Sequence, residues 1–520
     1  MDAQAEQDAL IRRRVARNTA SNYAKTVLSL GTGFVLTPFI LHRLGPTDFG
    51  LWVLVGSVVA YGGLFEFGIS TAVTKYVAEY RVTGRAEHER RLVASALVLY
   101  SALGGIVALL GLVLAPLFPA FFNVPASQRE SAVSLVALMG GAAGISLPCM
   151  TAAAVLRGLH RFDVANLISV LGLACSAAAT IAILLGGGGL FELVGANIAV
   201  TLLMQVPSVW WVRRLAPELC FGWRGADRGT IRTVVSFSSS ISIVQVAGLM
   251  QTKTDEIVIG AVLPVSSVTP YALARRLSEL GRILTDQFLK VLLPLASELH
   301  AGQEWGRLRS LYIASTRLTL AIFLPIGVTL IVLAGPILTV WVGSSFASYA
   351  NVVVILTIAS FVNVSQWPAA SVFQGMGRYR ALAIGALCSG VVNLVLSIAL
   401  ARPFGLVGVA YATLIPTVCE SLGFVLPYSL RALHVSPSVA AREIAVPAFL
   451  PVIPMVAVLY AWHKVIEPDS WLAIAVVGGT SIVTYVLGYL SLGTSHVERQ
   501  AWQTVALGTL RSMGARLRRS

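Results

Sequence analysis

Apolar runs of membrane-crossing length alternate with short polar connections through almost the whole chain, from about residue 22 to residue 492. A helix needs about 20 predominantly apolar residues to cross the roughly 30 Å hydrocarbon core of a bilayer. Irregular backbone exposed to lipid would leave N–H and C=O groups unpaired there. On that ruler the pattern predicts fourteen helices, over 22–42, 49–74, 92–118, 131–154, 163–185, 190–212, 233–259, 266–297, 312–340, 349–373, 380–401, 405–429, 445–463 and 471–492. The seventh and eighth are punctuated by charged side chains.

The basic residues orient these spans. With both termini cytoplasmic, the inner segments carry Arg12, Arg13, Arg14 and Arg17, then Arg81 to Arg91, Arg157 and Arg161, and Arg213 to Arg232. Further inner groups are Arg307 to Arg317, Arg378 and Arg380, Arg431 and Arg442, and Arg499 to Arg519. The alternate segments hold only Arg43, Arg129, Arg402 and Lys464. This is the positive-inside bias at each turn, and it requires an even number of spans.

The chain also repeats itself. AAAVLRGLHRF at 152–162 resembles AASVFQGMGRY at 369–379: small residues, an apolar helix end, then Gly158 or Gly375 and Arg161 or Arg378. LFELVGANIA at 190–199 matches PFGLVGVAYA at 403–412. These pairs occupy spans four with ten and six with twelve, so the offset preserves orientation. The expected plan is an all-α polytopic membrane protein with two parallel six-helix lobes related by an axis along the membrane normal. The lobes are 1–212 and 233–430, joined by a cytoplasmic connection at 213–232. Two additional helices occupy 431–493, and a basic cytoplasmic tail follows at 494–520.

Composition supports this class and excludes others. The chain is 56% hydrophobic and only 12% charged, with a mean hydropathy of +0.79, whereas soluble domains carry about a quarter charged residues. The net charge of +14 is spread over many short connections. It forms no single basic face, so no nucleic-acid partner is expected. The five cysteines stand apart, mostly within apolar stretches, with no metal spacing or disulfide framework. The seven histidines are dispersed near connections. No nucleotide-binding loop, zinc helix or nucleophile elbow is present. A passive or secondary transporter is expected, with no catalytic residues, metal or cofactor. The first apolar run lacks a small-x-small cleavage site and reads as a retained span.

Charge inside the spans is the candidate chemistry. In the eighth, Arg275, Glu279, Arg282, Asp286 and Lys290 follow steps of four, three, four and four, which places them along one helix face. Charge facing lipid is expensive, so such a stripe either lines a wet cavity or pairs internally, as Arg282–Asp286 and Asp286–Lys290 would. The seventh span offers Ser238, Ser242, Gln245, Thr252 and Glu256 near one face, with Lys253 and Asp255 adjoining. These read as a polar path or as hydroxyls bonding back to their own helix. Glu66 in GGLFEFGIS lies in strongly apolar surroundings. Lys75 can pair with Glu79 near the cytoplasmic boundary, and Lys25, at the start of the first span, can contact lipid phosphate.

NTASNYAKTVLSLGTGFVLTPFILHRLGPTDFGLW, followed by GGLFEFGISTAVTKYVAEY, resembles the Wzx-type polysaccharide flippases. These belong to the multidrug/oligosaccharidyl-lipid/polysaccharide exporter superfamily. The likeness extends from about residue 15 to 490, with FQGMGRYRA a weaker cue in the second half. It implies a fourteen-helix transporter of the bacterial inner membrane, with two six-helix lobes around a central, often cationic cavity. Its substrate would be a polyprenyl-diphosphate-linked oligosaccharide. Membrane lipids and glycan polymerases or glycosyltransferases would be partners, and protons, sodium or the membrane potential would be the coupling sources. Arg282 and Lys290 would then contact phosphate or sugar, while Glu66, Asp286 and Gln245 would orient sugar hydroxyls or ion pairs. Two alternatives stay open: a multidrug or small organic-cation exporter of the same superfamily, and a noncatalytic membrane scaffold of a glycan-assembly complex.

Overall fold

The computed structural model describes residues 2–219, 222–289, 291–465 and 467–493, and all regular structure among them is helical. Ten helical stretches among these residues are long and apolar enough to cross a membrane. Two of them, Lys25–Val82 and Arg380–Ala432, have 58 and 53 residues, far beyond the span of a bilayer at 1.5 Å per residue. Each is broken at a glycine outside helical geometry, Gly45 (φ 79°) before Pro46 and Gly405 (φ 59°). A left-handed backbone is inexpensive only for glycine.

The main helices are α1 (Asp2–Ala60), α2 (Ile69–Val82), α3 (Ala86–Leu114), α4 (Arg129–Gly158), α5 (Phe162–Leu185), α6 (Leu190–Leu203), α7 (Gln205–Leu215) and α8 (Arg228–Val262). They continue as α9 (Val268–Ser278), α10 (Leu280–Leu289), α11 (Leu292–Ala301), α12 (Trp305–Val332), α13 (Ala334–Val342), α14 (Ala350–Ser365), α15 (Trp367–Gly375) and α16 (Arg380–Val418). Leu426–Ala432, Val452–Val465 and Trp471–Gly488 are α17, α18 and α19. Two compact units divide the chain, Met1–Ala272 with Gly390–Ala412, and Leu273–Ser389 with Thr413–Ser520.

In the first unit, α3 and α4 touch backbone to backbone. A methyl group at Gly104 would lie 2.3 Å from the Gly144 carbonyl oxygen, and one at Gly140 would lie 2.7 Å from the Gly111 Cα. Lipid tails are as apolar as leucine, so association in a bilayer depends on such close packing rather than on expelling water. Beside this seam, Val73, Val77, Leu92, Tyr100, Val155 and Leu156 form a buried core. The connection before α8 is fixed by Asp227, whose Oδ2 accepts from the Thr230 N–H at 2.8 Å. Its own N–H donates to the Ser95 hydroxyl at 3.0 Å. The bonds from Thr230 hold the Asp227 carboxyl below its ordinary range. Its contribution to stability is therefore fully present above that range and is lost below it, as the pH falls through the lowered folded value.

In the second unit, α12 is the hub. Thr319, Phe323 and Leu324 are buried on it, and it packs against α10, α14, α18 and α19. The Phe323 ring fills the space left by Gly281 and Gly327, where added methyl groups would lie 2.9 and 2.7 Å from its carbons. Tyr485 on α19 donates to the Ala448 carbonyl at 2.9 Å.

The repeated sequence reappears as a repeated helix ending. His160 (φ 56°) and Gly377 (φ 70°) are both left-handed. The following arginine N–H turns back in each case, from Arg161 to the Leu156 carbonyl at 2.9 Å and from Arg378 to the Phe373 carbonyl at 2.8 Å. This is the Schellman closure of a helix. Gly84, Gln303 and His434 end α2, α11 and α17 in the same way.

The predicted eighth span is not one regular helix but α9, α10 and α11 in succession. Hydrogen bonds from the Glu279 N–H to Arg275 and from the Ile283 N–H to Glu279 carry helical bonding through the first junction. At the second, the Val291 N–H reaches the Phe288 carbonyl, a tighter three-residue closure. The spacing from Arg275 to Asp286 therefore stays helical, and Lys290 lies outside the described residues.

Gly144→Val is expected to destabilise the first unit by about 1–3 kcal/mol or more through overpacking. Gly141→Val, with nothing within 4 Å of the new Cβ, should be near neutral. Thermal unfolding of the detergent-solubilised protein compares them, and equal midpoints would refute the seam.

Candidate functional site

The predicted second span, 49–74, is interrupted in its middle. Gly62 and Gly63 weaken the helix, and residues Tyr61–Glu66 tighten into a 3-10 segment. Phe67 (φ 47°) and Gly68 (φ 72°) are then both left-handed before α2 begins at Ile69. A left-handed phenylalanine costs on the order of 1–3 kcal/mol and persists only where its surroundings enforce it. The break leaves the first N–H groups of α2 without helical partners where Ile69 and Ser70 are buried.

Glu66 supplies the missing acceptor. Its Oε1 takes the Ser70 N–H at 2.9 Å, and a negative charge at a helix N-terminus is favoured by the helix dipole. The same oxygen accepts the hydroxyl of Tyr100, fully buried on α3, at 3.1 Å. Oε2 accepts the Gln245 side-chain amide from α8 at 3.3 Å. Arg157, from the end of α4, donates to the Ser70 hydroxyl. The Glu66 segment and four helices thus converge on one carboxylate and its hydroxyl neighbour.

A second polar centre in the same unit surrounds Asp255, 1% exposed. It accepts the Tyr271 hydroxyl at 2.6 Å, the Asn393 amide at 3.3 Å and the Ser397 hydroxyl at 3.3 Å. The adjacent Thr254 hydroxyl pairs with the Tyr61 hydroxyl at 2.6 Å. Glu256 is also buried, and Lys253 is half-buried.

Two larger cavities lie in this unit. One, of about 610 Å³, is polar and includes Lys25 and Arg157 in its lining. The other, of about 520 Å³, is apolar and lined by Phe65, Phe118, Phe121 and Phe122 among others.

The remaining sequence candidates are dispersed among simpler contacts. In the second unit, Arg282 lies over the Trp367 ring, 5.5 Å from its centroid, a cation–π contact. Arg275, Glu279 and Asp286 are half-buried on the same run of helix. In the first unit, the Lys75 ammonium lies over the Tyr76 and Phe237 rings, at 4.7 and 4.6 Å. Thr252 bonds back to the Gly248 carbonyl of its own helix.

Sequence reasoning missed Tyr100, Arg157, Tyr271, Asn393 and Ser397. Tyr100 is a lone phenol in an apolar run, and Arg157 reads as one more positive-inside residue. Asn393 and Ser397 did leave a signal: two polar side chains four apart on an otherwise apolar helix share one face. Glu420 was also overlooked; it is half-buried in a π-helical turn, Cys419–Val425.

Residues 40–351 match the polysaccharide biosynthesis protein family, and the chain belongs to that family. It is 23% identical over 500 residues to the uncharacterized membrane protein EpsK of Bacillus subtilis, covering 93% of this chain and 96% of that protein. It is 22% identical over 495 residues to the probable flippase AglR of Haloferax volcanii, covering 94% and 98% respectively. Among solved structures, the fold is similar to the lipid II flippase MurJ in an inward closed conformation, with a TM-score of 0.73 at 14% identity over 91% of this chain and 98% of that one. It is also similar to an inward-facing multidrug resistance MATE family transporter, with a TM-score of 0.69 at 16% identity over 79% and 96%. The chain is a multi-pass membrane protein that shares the fold of these flippase and multidrug-transporter structures.

Removing the Glu66 carboxylate strands its donors. Glu66→Ala is expected to destabilise the protein by about 1–3 kcal/mol for each buried donor left without an acceptor, and Glu66→Gln by less. Unfolding in detergent measures this, and a wild-type midpoint for Glu66→Ala would show that the network contributes nothing.

Proposed function

We propose that the protein is a flippase that carries a polyprenyl-diphosphate-linked oligosaccharide from the cytoplasmic to the outer leaflet of the inner membrane. The observation that carries this reading is a membrane helix broken around Glu66, whose charge is shared with Tyr100, Ser70 and Gln245. Broken helices with charged or polar groups at the break are how membrane transporters build polar paths within hydrocarbon. A diphosphate–sugar headgroup needs such a path, because its charge cannot cross lipid bare. The polyprenyl tail remains in the hydrocarbon throughout. Family membership and the flippase names carried by relatives support the substrate class.

In this reading the chain has fourteen spans, with lobes at 1–212 and 233–430, a connection at 213–232, two added helices at 431–493 and a tail at 494–520. The recurrent left-handed helix endings support the repeat. Glu66, Gln245, Arg275, Glu279, Arg282, Asp286 and Lys290 supply the polar path, with Lys25, Lys75, Lys253, Asp255 and Glu256 as secondary members. Glu66, Asp286 and Asp255 are the candidate groups for coupling to protons, sodium or membrane potential. Asp255 joins them because its hydroxyl and amide donors come from separate helical segments, so its charge state bears on their packing. Glycan polymerases or glycosyltransferases would act before or after it on the same lipid-linked glycan.

The test is reconstitution into vesicles with a lipid-linked oligosaccharide, with leaflet exposure followed under imposed ion gradients and without them. Acceleration over empty vesicles is expected. Its absence under every gradient sinks the flippase reading, and transport of organic cations instead would favour the exporter alternative. Arg282→Ala should reduce transport at least tenfold, a loss of about 1.4 kcal/mol, while leaving insertion intact. Full transport by that variant removes Arg282 from the path.

A further inference from the structure

The 610 Å³ cavity of the first unit brings Lys25, a secondary member of the proposed path, into one lining with Arg157. Its walls come from α1, α4, α5, α6 and α7. Among the described lining residues, the only charged ones are Lys25 and Arg157; no carboxylate is present. The rest of its polar lining is hydroxyl and amide, including Ser29, Asn166, Ser176 and Gln205. Along α5 this lining runs from Asn166 to Ser176, about 15 Å at 1.5 Å per residue. The volume lies within the roughly 300–1,000 Å³ of small-ligand sites.

Two cations facing a shared space repel each other; Glu66 attracts Arg157 from beyond the wall, and no carboxylate stands among the described lining residues. Arg157 has five N–H donors, and its contact with Ser70 uses one. Lys25 brings three more. Arg157 is also one turn from the Arg161 helix ending, one of the arginine-bearing ends that the positive-inside pattern assigns to the cytoplasmic side.

The geometry points to an anion site here, in which Lys25 and Arg157 clamp a phosphate-bearing group. The inference rests on the flippase reading only for the source of that group, a lipid-borne diphosphate or free phosphate. Phosphate suits the pair because lysine meets it as a point charge and arginine as a planar fork. Occupancy would also draw on the guanidinium that holds Ser70, one hydrogen bond from Glu66. Binding in the cavity is thereby linked to the network at the helix break.

Equilibrium binding to the purified full-length protein in zwitterionic detergent tests this, with pyrophosphate and farnesyl diphosphate as probes. Lys25→Gln and Arg157→Gln are each expected to weaken binding at least about tenfold, and the pair to abolish it. Arg157→Lys should recover part of the loss. Arg307→Gln, which removes one charge from an exposed ion pair with Glu304 in the second unit, should leave binding unchanged. Should Arg157→Gln fail to fold, Ser176→Asp places a carboxylate in the wall and should expel both probes.

Farnesyl diphosphate binding far more tightly than pyrophosphate supports a lipid-borne ligand, and equal binding supports free phosphate. Undiminished binding in folded Lys25→Gln and Ser176→Asp variants, or binding by neither probe to the wild type, overturns the site. Retained probe binding with no transport in vesicles would overturn the flippase reading and leave the anion site standing.

Discussion

A carboxylate set among apolar helices needs hydrogen-bond donors, and Glu66 gathers them from several directions. Its position follows from the broken helix around it: the left-handed Phe67 and Gly68 end one segment, and the freed Ser70 N–H takes the carboxylate. Tyr100 and Gln245 then have to lie where their hydrogens reach the same oxygens. The constraint therefore fixes α2, α3 and α8 against each other, and Arg157 extends it to α4 through Ser70. Remove the carboxylate and the Ser70 N–H, Tyr100 and Gln245 lose the acceptor they share.

The two polar centres of the first unit solve the same problem differently. Glu66 is served partly by a backbone N–H at a helix start. Asp255 accepts from the side chains of Tyr271, Asn393 and Ser397, two of them from the portion of α16 that joins this unit. Both centres draw on neutral hydroxyl and amide donors. In a medium of low polarity, neutral donors can be rearranged at lower cost than a buried ion pair can be broken.

Much of the architecture was legible because the bilayer imposes simple rules. Apolar length marked the spans, arginine marked their ends, and a short repeated sequence marked a helix ending that the backbone then repeats at His160 and Gly377. What stayed hidden depends on which helices meet. Glu66 stood out in the sequence, but its partnership with Tyr100 joins residues 34 apart and its contact with Gln245 joins residues 179 apart. Periodicity along one helix says nothing about either. The break at Phe67 was obscured for a related reason: Gly62, Gly63 and Gly68 were all visible, yet apolar content alone made 49–74 read as one uninterrupted rod. Arg157 was concealed by its own regularity, since arginine at an inner helix end already has an explanation.

The glycine seam between α3 and α4 has a mechanical side. Backbones in direct contact leave no layer of side chains to shear, so the two helices behave as one plate about two helices wide. A plate of this kind transmits displacement along its length instead of absorbing it. Bending then falls to places where the helical ladder is already open, at Pro148 within α4 and at the left-handed pair Phe67 and Gly68 beside it.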